Sequence, residues 1–453
     1  MNLQPVILWT DAALFALLAA AVLAIAGLRR DPLQRANWRR VLLRPSAAVS
    51  LVLLLAYLVV GLADSIHFRR ALPDGGDGQV HFASNVESLL DVALGGLRSA
   101  QETTYSAPLA THAFVKDNIE REGQLVGRDY PRLVHGGRHL GEPPQGQAGD
   151  VALRVGLGLA AGGAVCGLLW LAVRRRLSDE PRARRALLAG LASAGGLAVV
   201  VGVVAALAHG YHVFGTDKVG QDVLYLTLKS VRTALVIGVL TTLVTLPIAI
   251  ALGISAGYHG GWVDDLIQYL YTVISSIPGV LLIAAAVLMM QVVIETHPEW
   301  FETAAERADA RLLALCVILG MTSWTGLCRL LRGETLKLRE LEYVQAARAF
   351  GVGSAAILRR HVLPNLMHIV LIALVMDFSS LVLAEAVLSY VGIGVDPNTI
   401  SFGTMINAAR MELARDPAVW WSLAAAFVLM FALVLSANLF ADAVRDAFDP
   451  KAG

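Results

Sequence analysis

Charge is scarce in this chain. Of its 453 residues only 16% are Asp, Glu, Lys or Arg, against roughly 25% in an average soluble domain. Cysteine is scarcer still: Cys166, Cys316 and Cys328 stand singly in apolar runs, which argues against a disulfide or metal framework and leaves lone buried thiols. The sequence has no Gly-x4-Gly-Lys-Ser/Thr phosphate loop and no His-Glu-x-x-His, and its Gly-x-Ser-x-Gly string, Gly253 to Gly257, lies within a long apolar run and not at a strand-to-helix turn. A nucleotide-hydrolysing motor of the phosphate-loop type, a zinc protease and a serine hydrolase are thereby disfavoured. Net charge is +1, and no basic stripe interleaves with aromatics, so nothing points to nucleic acid.

What is abundant is apolar sequence, at 56% of residues, with mean hydropathy +0.61. A helix needs about 20 mostly apolar residues to cross a bilayer. About nine such runs are predicted, near residues 6–28, 42–63, 151–173, 186–208, 232–256, 266–293, 311–331, 366–393 and 417–441. The expected fold is therefore an all-α polytopic transmembrane bundle. The first run lacks a basic lead-in and is too long for a signal h-region, so it is expected to be retained.

Arginine-rich loops stay on the cytoplasmic side. "RRDPLQRANWRR" (29–40) and "RRRLSDEPRARR" (174–185) are dense in arginine, the loop at 295–311 is acidic, and residues 339–360 are basic again. One threading satisfies all four, with the N-terminus out and the C-terminus in. It places the polar residues 64–150 outside as a small insertion, with helices expected near 85–97 and 112–127. Glycine pairs one turn apart, Gly158/Gly162, Gly163/Gly167 and Gly253/Gly257, predict close helix packing within the bundle.

Between two apolar runs lies "EYVQAARAFGVGSAAILRRHVLPN" (342–365). Helices are expected over 336–350 and 354–362, broken at Gly351 and Gly353, with Leu363-Pro364 opening the next span. Ala346 and Ala347 would form a low ridge, ringed by Glu342, Arg348 and Glu340, that suits a groove on another protein.

"QAARAFG" followed by "HVLP" resembles the EAA motif of binding-protein-dependent ABC importer permeases. Ala346, Ala347, Gly351, Leu363 and Pro364 match at the family's spacing, while Gln345 stands where the family has Glu and His361 where it has Ile. "FGTDKVGQDVLYLTLKSVRTALVIG" (214–238), "AGYHGGWVDD" (256–265), "EAVLSYVGIGVDP" (385–397) and "NLFADAVRDAFDP" (438–450) are similar to the C-type permease subunit of the oligopeptide, dipeptide and nickel branch. The resemblance covers 214–450. It divides the chain into an extra first span plus a family-like one (1–63), the external insertion (64–150), an inserted transmembrane hairpin (151–208) and a permease core (209–450) holding the coupling segment 334–364.

The resemblance implies a translocation subunit in the bacterial inner membrane that pairs with a related permease, two cytoplasmic ATPases and an extracytoplasmic binding protein, in contact with membrane lipid. ATP and Mg would be bound by the ATPases, with no cofactor in this chain and no metal site. Coupling would involve Glu342, Gln345, Ala346, Ala347, Arg348, Gly351, Leu363 and Pro364. Gly215, Thr216, Asp217, Gly220 and Asp222 would border the external gate. Thr216 or Asp217 would cap an interfacial helix carrying Val223, Leu224, Leu228 and Val231; a simple interfacial anchor is the alternative. Asp377 and Glu385, eight residues apart inside a span, are costly there. A buried hydrogen bond is the first expectation for Glu385 and pore lining the second. Peptides are the expected cargo, though nickel chelates use similar permeases. A secondary transporter or channel is the alternative class, and a membrane-embedded enzyme is disfavoured.

Overall fold

A computed structural model describes residues 3–28, 32–71, 81–83, 85–121, 124–141, 146–174, 180–301 and 303–448. Within the polar stretch, "LPDGGDGQ" (72–79) and part of "GEPPQGQAGD" (141–150) lie outside them. The chain forms two compact units, one of residues 1–7, 39–234 and 400–439, the other of 8–38, 235–399 and 440–453.

In the first unit, α3 (Pro45–Asp64) opens on a proline whose missing N–H would be unpaired anyway. The insertion follows. A three-stranded antiparallel sheet joins β1 (Leu3–Val6), β2 (His67–Arg70) and β3 (Glu87–Ser88), with Leu3 opposite Arg70 and His67 opposite Ser88. Two short helices, α4 (Leu89–Ala93) and α5 (Gly95–Ser99), follow, with a Ser88/Asp91 capping box starting α4. The helix expected at 112–127 is instead a hairpin, β4 (Asp117–Arg121) with β5 (Gln124–Asp129). Between Lys116 and Asp129 the only large apolar residues are Ile119, Leu125 and Val126, too few to give a helix an apolar face.

The long helices α6 (Gln147–Arg174) and α7 (Pro181–Ala208) then pack as a hairpin. A Cβ on Gly158 would sit 2.5 Å from the Val203 Cα, and one on Gly162 would sit 2.4 Å from the Val199 Cα. That pair of glycines therefore sets the interhelical approach. A Cβ on Gly163 or Gly167 would meet nothing within 4 Å, so this pair does not set a close helix approach as expected.

In the second unit, α1 (Trp9–Leu28) is held to α11 (Ala304–Arg339) where the Thr10 N–H donates to Asp309 Oδ2 at 3.1 Å. The amphipathic helix α2 (Pro32–Leu42) begins in this unit. The 37-residue α8 (Val223–His259) is about 55 Å long; its second half closes on α11, where a Cβ at Gly253 would lie 2.7 Å from the Cys328 carbonyl. The span expected over 266–293 is two helices, α9 (Gly261–Ser276) and α10 (Gly279–Thr296). Pro278 lacks the donor that would continue α9 and starts a new helix instead. Arg332 grips Asp264 at 2.5 and 2.7 Å, tying α11 to α9; this pairing is the chief reason the Asp264 carboxyl lies below its usual range, against the opposing effect of burial.

Among the described residues, eight helices are long and apolar enough to cross a membrane, and α1 contributes a shorter apolar stretch, Trp9–Leu23. The chain is thus the expected all-α polytopic bundle, with small sheets confined to the N-terminal strand and the insertion.

Candidate functional sites: the inside segment and the capped external loop

The inside segment belongs to the second unit. α11 ends at Arg339, and the helix expected over 336–350 breaks there because Leu341 is extended, at φ −74° and ψ 141°. The short α12 (Glu342–Ala349) follows. It is anchored by Val344, 2% exposed, in a core with Ile357, Val362 and Leu366. Ala347 is half-buried against that same core, so the ridge expected from both alanines is in fact presented by the exposed Ala346 alone. Glu342, Gln345 and Arg348 are exposed around it.

Gly351 closes α12. Its φ is +75°, the Val352 N–H donates to the Ala347 carbonyl at 3.1 Å and the Gly351 N–H to the Arg348 carbonyl at 3.0 Å. Those two bonds are the Schellman pattern, which wants a left-handed residue at the position of Gly351. Gln345 Nε2 donates to the Glu340 carbonyl and carboxylate at 3.2 and 3.3 Å. A glutamate there could not donate and would face Glu340 with like charge.

Leu363-Pro364 does not open a new helix, contrary to expectation. α13 (Ser354–Ile357), a π turn (Leu358–Val362) and α14 (Leu363–Val391) form one continuous apolar helix, Ser354–Val391. The wide turn absorbs the missing proline donor, and Asn365 Nδ2 donates to the His361 carbonyl at 2.6 Å. Leu363 packs on the core and Pro364 is exposed. Sequence reasoning passed over Phe350, which is 88% exposed at the end of α12.

Further along α14, Glu385 is buried at 1% exposure and accepts from Ser389 Oγ at 2.7 Å. This matches the buried hydrogen bond anticipated there. Asp377 is half-buried on the same helix.

The external loop belongs to the first unit, and the insertion covers it. Thr216 and Asp217 do not cap α8; Asp222 does, its Oδ1 accepting from the Leu224 and Tyr225 N–H groups at 2.8 and 3.2 Å. The stretch expected as a separate interfacial helix is the opening of α8 itself. Asp217 accepts from Val219 and Gln221 N–H and shapes the loop. Burial is the main reason its carboxyl is raised above the ordinary range, despite those bonds.

Thr216 is fully buried. Its N–H donates to the Ser106 carbonyl at 3.1 Å, its Oγ1 accepts from the Ser106 N–H at 2.7 Å, and its carbonyl accepts from Trp421 Nε1 at 2.9 Å. Trp421 opens α16 (Trp421–Phe448), which follows the capped helix α15 (Phe402–Glu412). Gly215 and Gly220 have φ of +69° and +76°. A Cβ on Gly220 would fall 1.8 Å from the Glu102 carbonyl oxygen, and one on Gly215 2.3 Å from that of Ser106.

A buried acid–imidazole–acid row lies beneath this contact. His212 Nδ1 meets Asp222 Oδ2 at 2.7 Å and its Nε2 meets Glu102 Oε1 at 3.3 Å. Glu102 also accepts from the N–H groups of Val134, His135 and Gly136 at 2.8, 2.8 and 2.9 Å. Burial disfavours the imidazolium, yet the two carboxylates outweigh it and raise His212 to about 9. Burial likewise opposes ionisation of Glu102, but His212 and the three N–H donors hold it down at about 2. Beside the row, Lys229 pairs with Asp91 at 2.8 Å and Asp64 at 3.1 Å. Nothing in the local sequence marked Glu102 or His212, which are 110 residues apart.

These shifts fix a pH window. The raised His212 contributes stability that is complete below its ordinary 6.5 and lost as pH climbs through 9. The depressed Glu102 contributes stability that is complete above its ordinary 4.5 and lost as pH falls through 2. Thermal unfolding of the detergent-solubilised chain is expected to be most resistant between those ordinary values, 4.5 and 6.5, and weaker on both sides. A profile flat from pH 5 to 9 would show that the row is not charged as drawn.

Residues 249–453 match the family described as binding-protein-dependent transport system inner membrane component. The chain is 33% identical over 239 residues to the oligopeptide transport system permease protein OppC of Mycobacterium tuberculosis, covering 53% of this chain and 76% of that protein. It is 32% identical over 242 residues to the glutathione transport system permease protein GsiD of Pectobacterium atrosepticum, covering 53% of this chain and 73% of that one. To the dipeptide transport system permease protein DppC of Lactococcus lactis it is 30% identical over 241 residues, 53% of this chain and 64% of the relative.

The chain belongs to this family of importer permeases.

It is a permease subunit of an ABC importer, a multi-pass inner-membrane component of a transport complex with other subunits. The family match begins inside α8. The insertion and the α6–α7 hairpin thus lie outside it, whereas the permease's inside segment lies within it.

Proposed function

We propose that this permease forms half of a translocation path for peptides and is moved by two cytoplasmic ATPases seated on the segment 334–364. A related permease supplies the other half, and an extracytoplasmic binding protein delivers cargo at the loop Gly215–Asp222, with the N-terminus out and the C-terminus in. ATP and Mg belong to the ATPases, since the sequence of this chain has no phosphate loop. ATP drives alternation only if it binds one conformation of the assembly better than the other.

The observation that carries this reading is the inside knuckle. α12 is fixed from behind by Val344 and offers Ala346 and Phe350 to a partner. An unpartnered aromatic on a rigid, polar-rimmed helix is the form of an interface anchor. Peptide cargo is supported by the names of the relatives, which carry oligopeptides, dipeptides and glutathione. Affinity purification of the tagged chain from native membranes tests it: ATPase subunits and a second permease are expected to co-elute, and uptake of labelled peptide is expected to stop on ATP depletion. A chain that purifies alone and moves solute on an ion gradient would sink the reading.

A further inference from the structure

Beneath the insertion the first unit holds a half-open cavity of about 1280 Å³, above the roughly 300–1,000 Å³ of ordinary small-molecule sites. Its walls are apolar faces of α3, α7, α8 and α16, and α4 and α5 cover its end. Its deepest residues place it in the bilayer. Leu53 is eleven residues from the end of α3, Leu197 eleven from the end of α7, and Ala432 eleven from the start of α16. At 1.5 Å per residue each depth is about 16 Å, half of a hydrocarbon core of about 30 Å. The cavity is therefore as deep as one leaflet.

Its mouth is lined by an arginine and several histidines. The ionisable lining residues other than tyrosine are His135, Arg138, His139, His209 and His212, with no carboxylate among them. His139 and His212 are engaged by Asp150 and by Asp222 with Glu102. His135 Nδ1 makes no hydrogen bond but faces Glu102 Oε1 at 4.0 Å. Arg138 and His209 are exposed and form no side-chain bond within the described residues. A leaflet-deep apolar slot with Arg138 and the imidazole of His209 left without an internal partner at its mouth is complementary to acyl chains under an anionic phosphate.

We propose that this cavity is a binding site for one anionic phospholipid of the leaflet on the insertion side. Its chains lie along α3, α7, α8 and α16, and its headgroup meets Arg138 and His209. The lipid fills the space between the inserted layer and the spans, so the insertion rests on lipid as well as on protein.

The test is native mass spectrometry of the full-length chain after exchange into an equal mixture of dioleoyl phosphatidylglycerol and dioleoyl phosphatidylcholine. One tightly retained lipid is expected, phosphatidylglycerol over phosphatidylcholine by about tenfold. Ala56→Trp, which fills the slot from α3, is expected to abolish retention. Arg138→Glu alters an exposed side chain with no internal partner, so the fold should survive while the preference falls to near equality; it carries the test if Ala56→Trp fails to fold. Unchanged preference in Arg138→Glu, unchanged retention in a folded Ala56→Trp, or displacement of the lipid by cargo peptide would each overturn the assignment.

Discussion

Glu102→Ala is expected to destabilise the insertion-bearing unit by about 3–5 kcal/mol, the cost of leaving a buried charge without its partner. Three consequences coincide in that one truncation. The N–H groups of Val134, His135 and Gly136 lose their acceptor, each at the cost of an unpaired polar group. The buried His212, 3% exposed, keeps Asp222 alone as counter-ion. The backbone contact with the external loop, where the Glu102 N–H donates to the Gly220 carbonyl at 2.9 Å, loses the side chain that holds residue 102 in place. Glu102→Gln should fall between, because the amide oxygen still accepts while the charge is gone. Melting temperature and limited proteolysis report the outcome, with cleavage expected to appear first in residues 100–141. If both variants melt and resist protease as the parent does, the insertion is held by something other than this row.

Phe350→Asp is expected to weaken association with the ATPases by at least about 30-fold, the equivalent of a 2 kcal/mol hot spot, and to stop peptide uptake. Phe350 is 88% exposed, so its loss should leave the chain folded and in the membrane. Gly351→Val should give the same transport defect by a different route. A Cβ at Gly351 meets nothing within 4 Å, but the residue sits at φ +75°, where a β-branched residue is strained. The Schellman bonds would open and α12 would lose its aim while the bundle remained. Co-elution of ATPase and uptake in proteoliposomes are the readouts. Normal uptake with Phe350→Asp would remove this residue from the joint.

The spans were readable because the bilayer imposes one rule: backbone groups in lipid must pair within their own helix, which demands long apolar runs. That rule says nothing about breaks and joins. Pro278 splits one apolar run into α9 and α10, whereas Pro364 is carried through a continuous helix by a π turn. The same residue type acts oppositely because the backbone ahead of it differs. The inside segment was legible as motif and spacing, yet the division of labour between Ala346 and Ala347 followed from which side of α12 meets Val362 and Leu366. The external loop was legible only as a string of glycines and acids. Its partners, Glu102, Ser106 and Trp421, come from distant stretches of chain, and no periodicity or local spacing encodes contacts across such separations.

The unbroken helix Ser354–Val391 gives the inside knuckle a stiff shaft. At about 1.5 Å per residue it runs some 57 Å, and past the π turn no kink is available to dissipate a push. A tilt imposed beside α12 must re-emerge at the far end, where Glu385 and Ser389 clasp each other and the Val395 N–H reaches Ser389 Oγ at 3.4 Å. On the proposed coupling, the inside knuckle and the Glu385–Ser389 end move as the two ends of one lever.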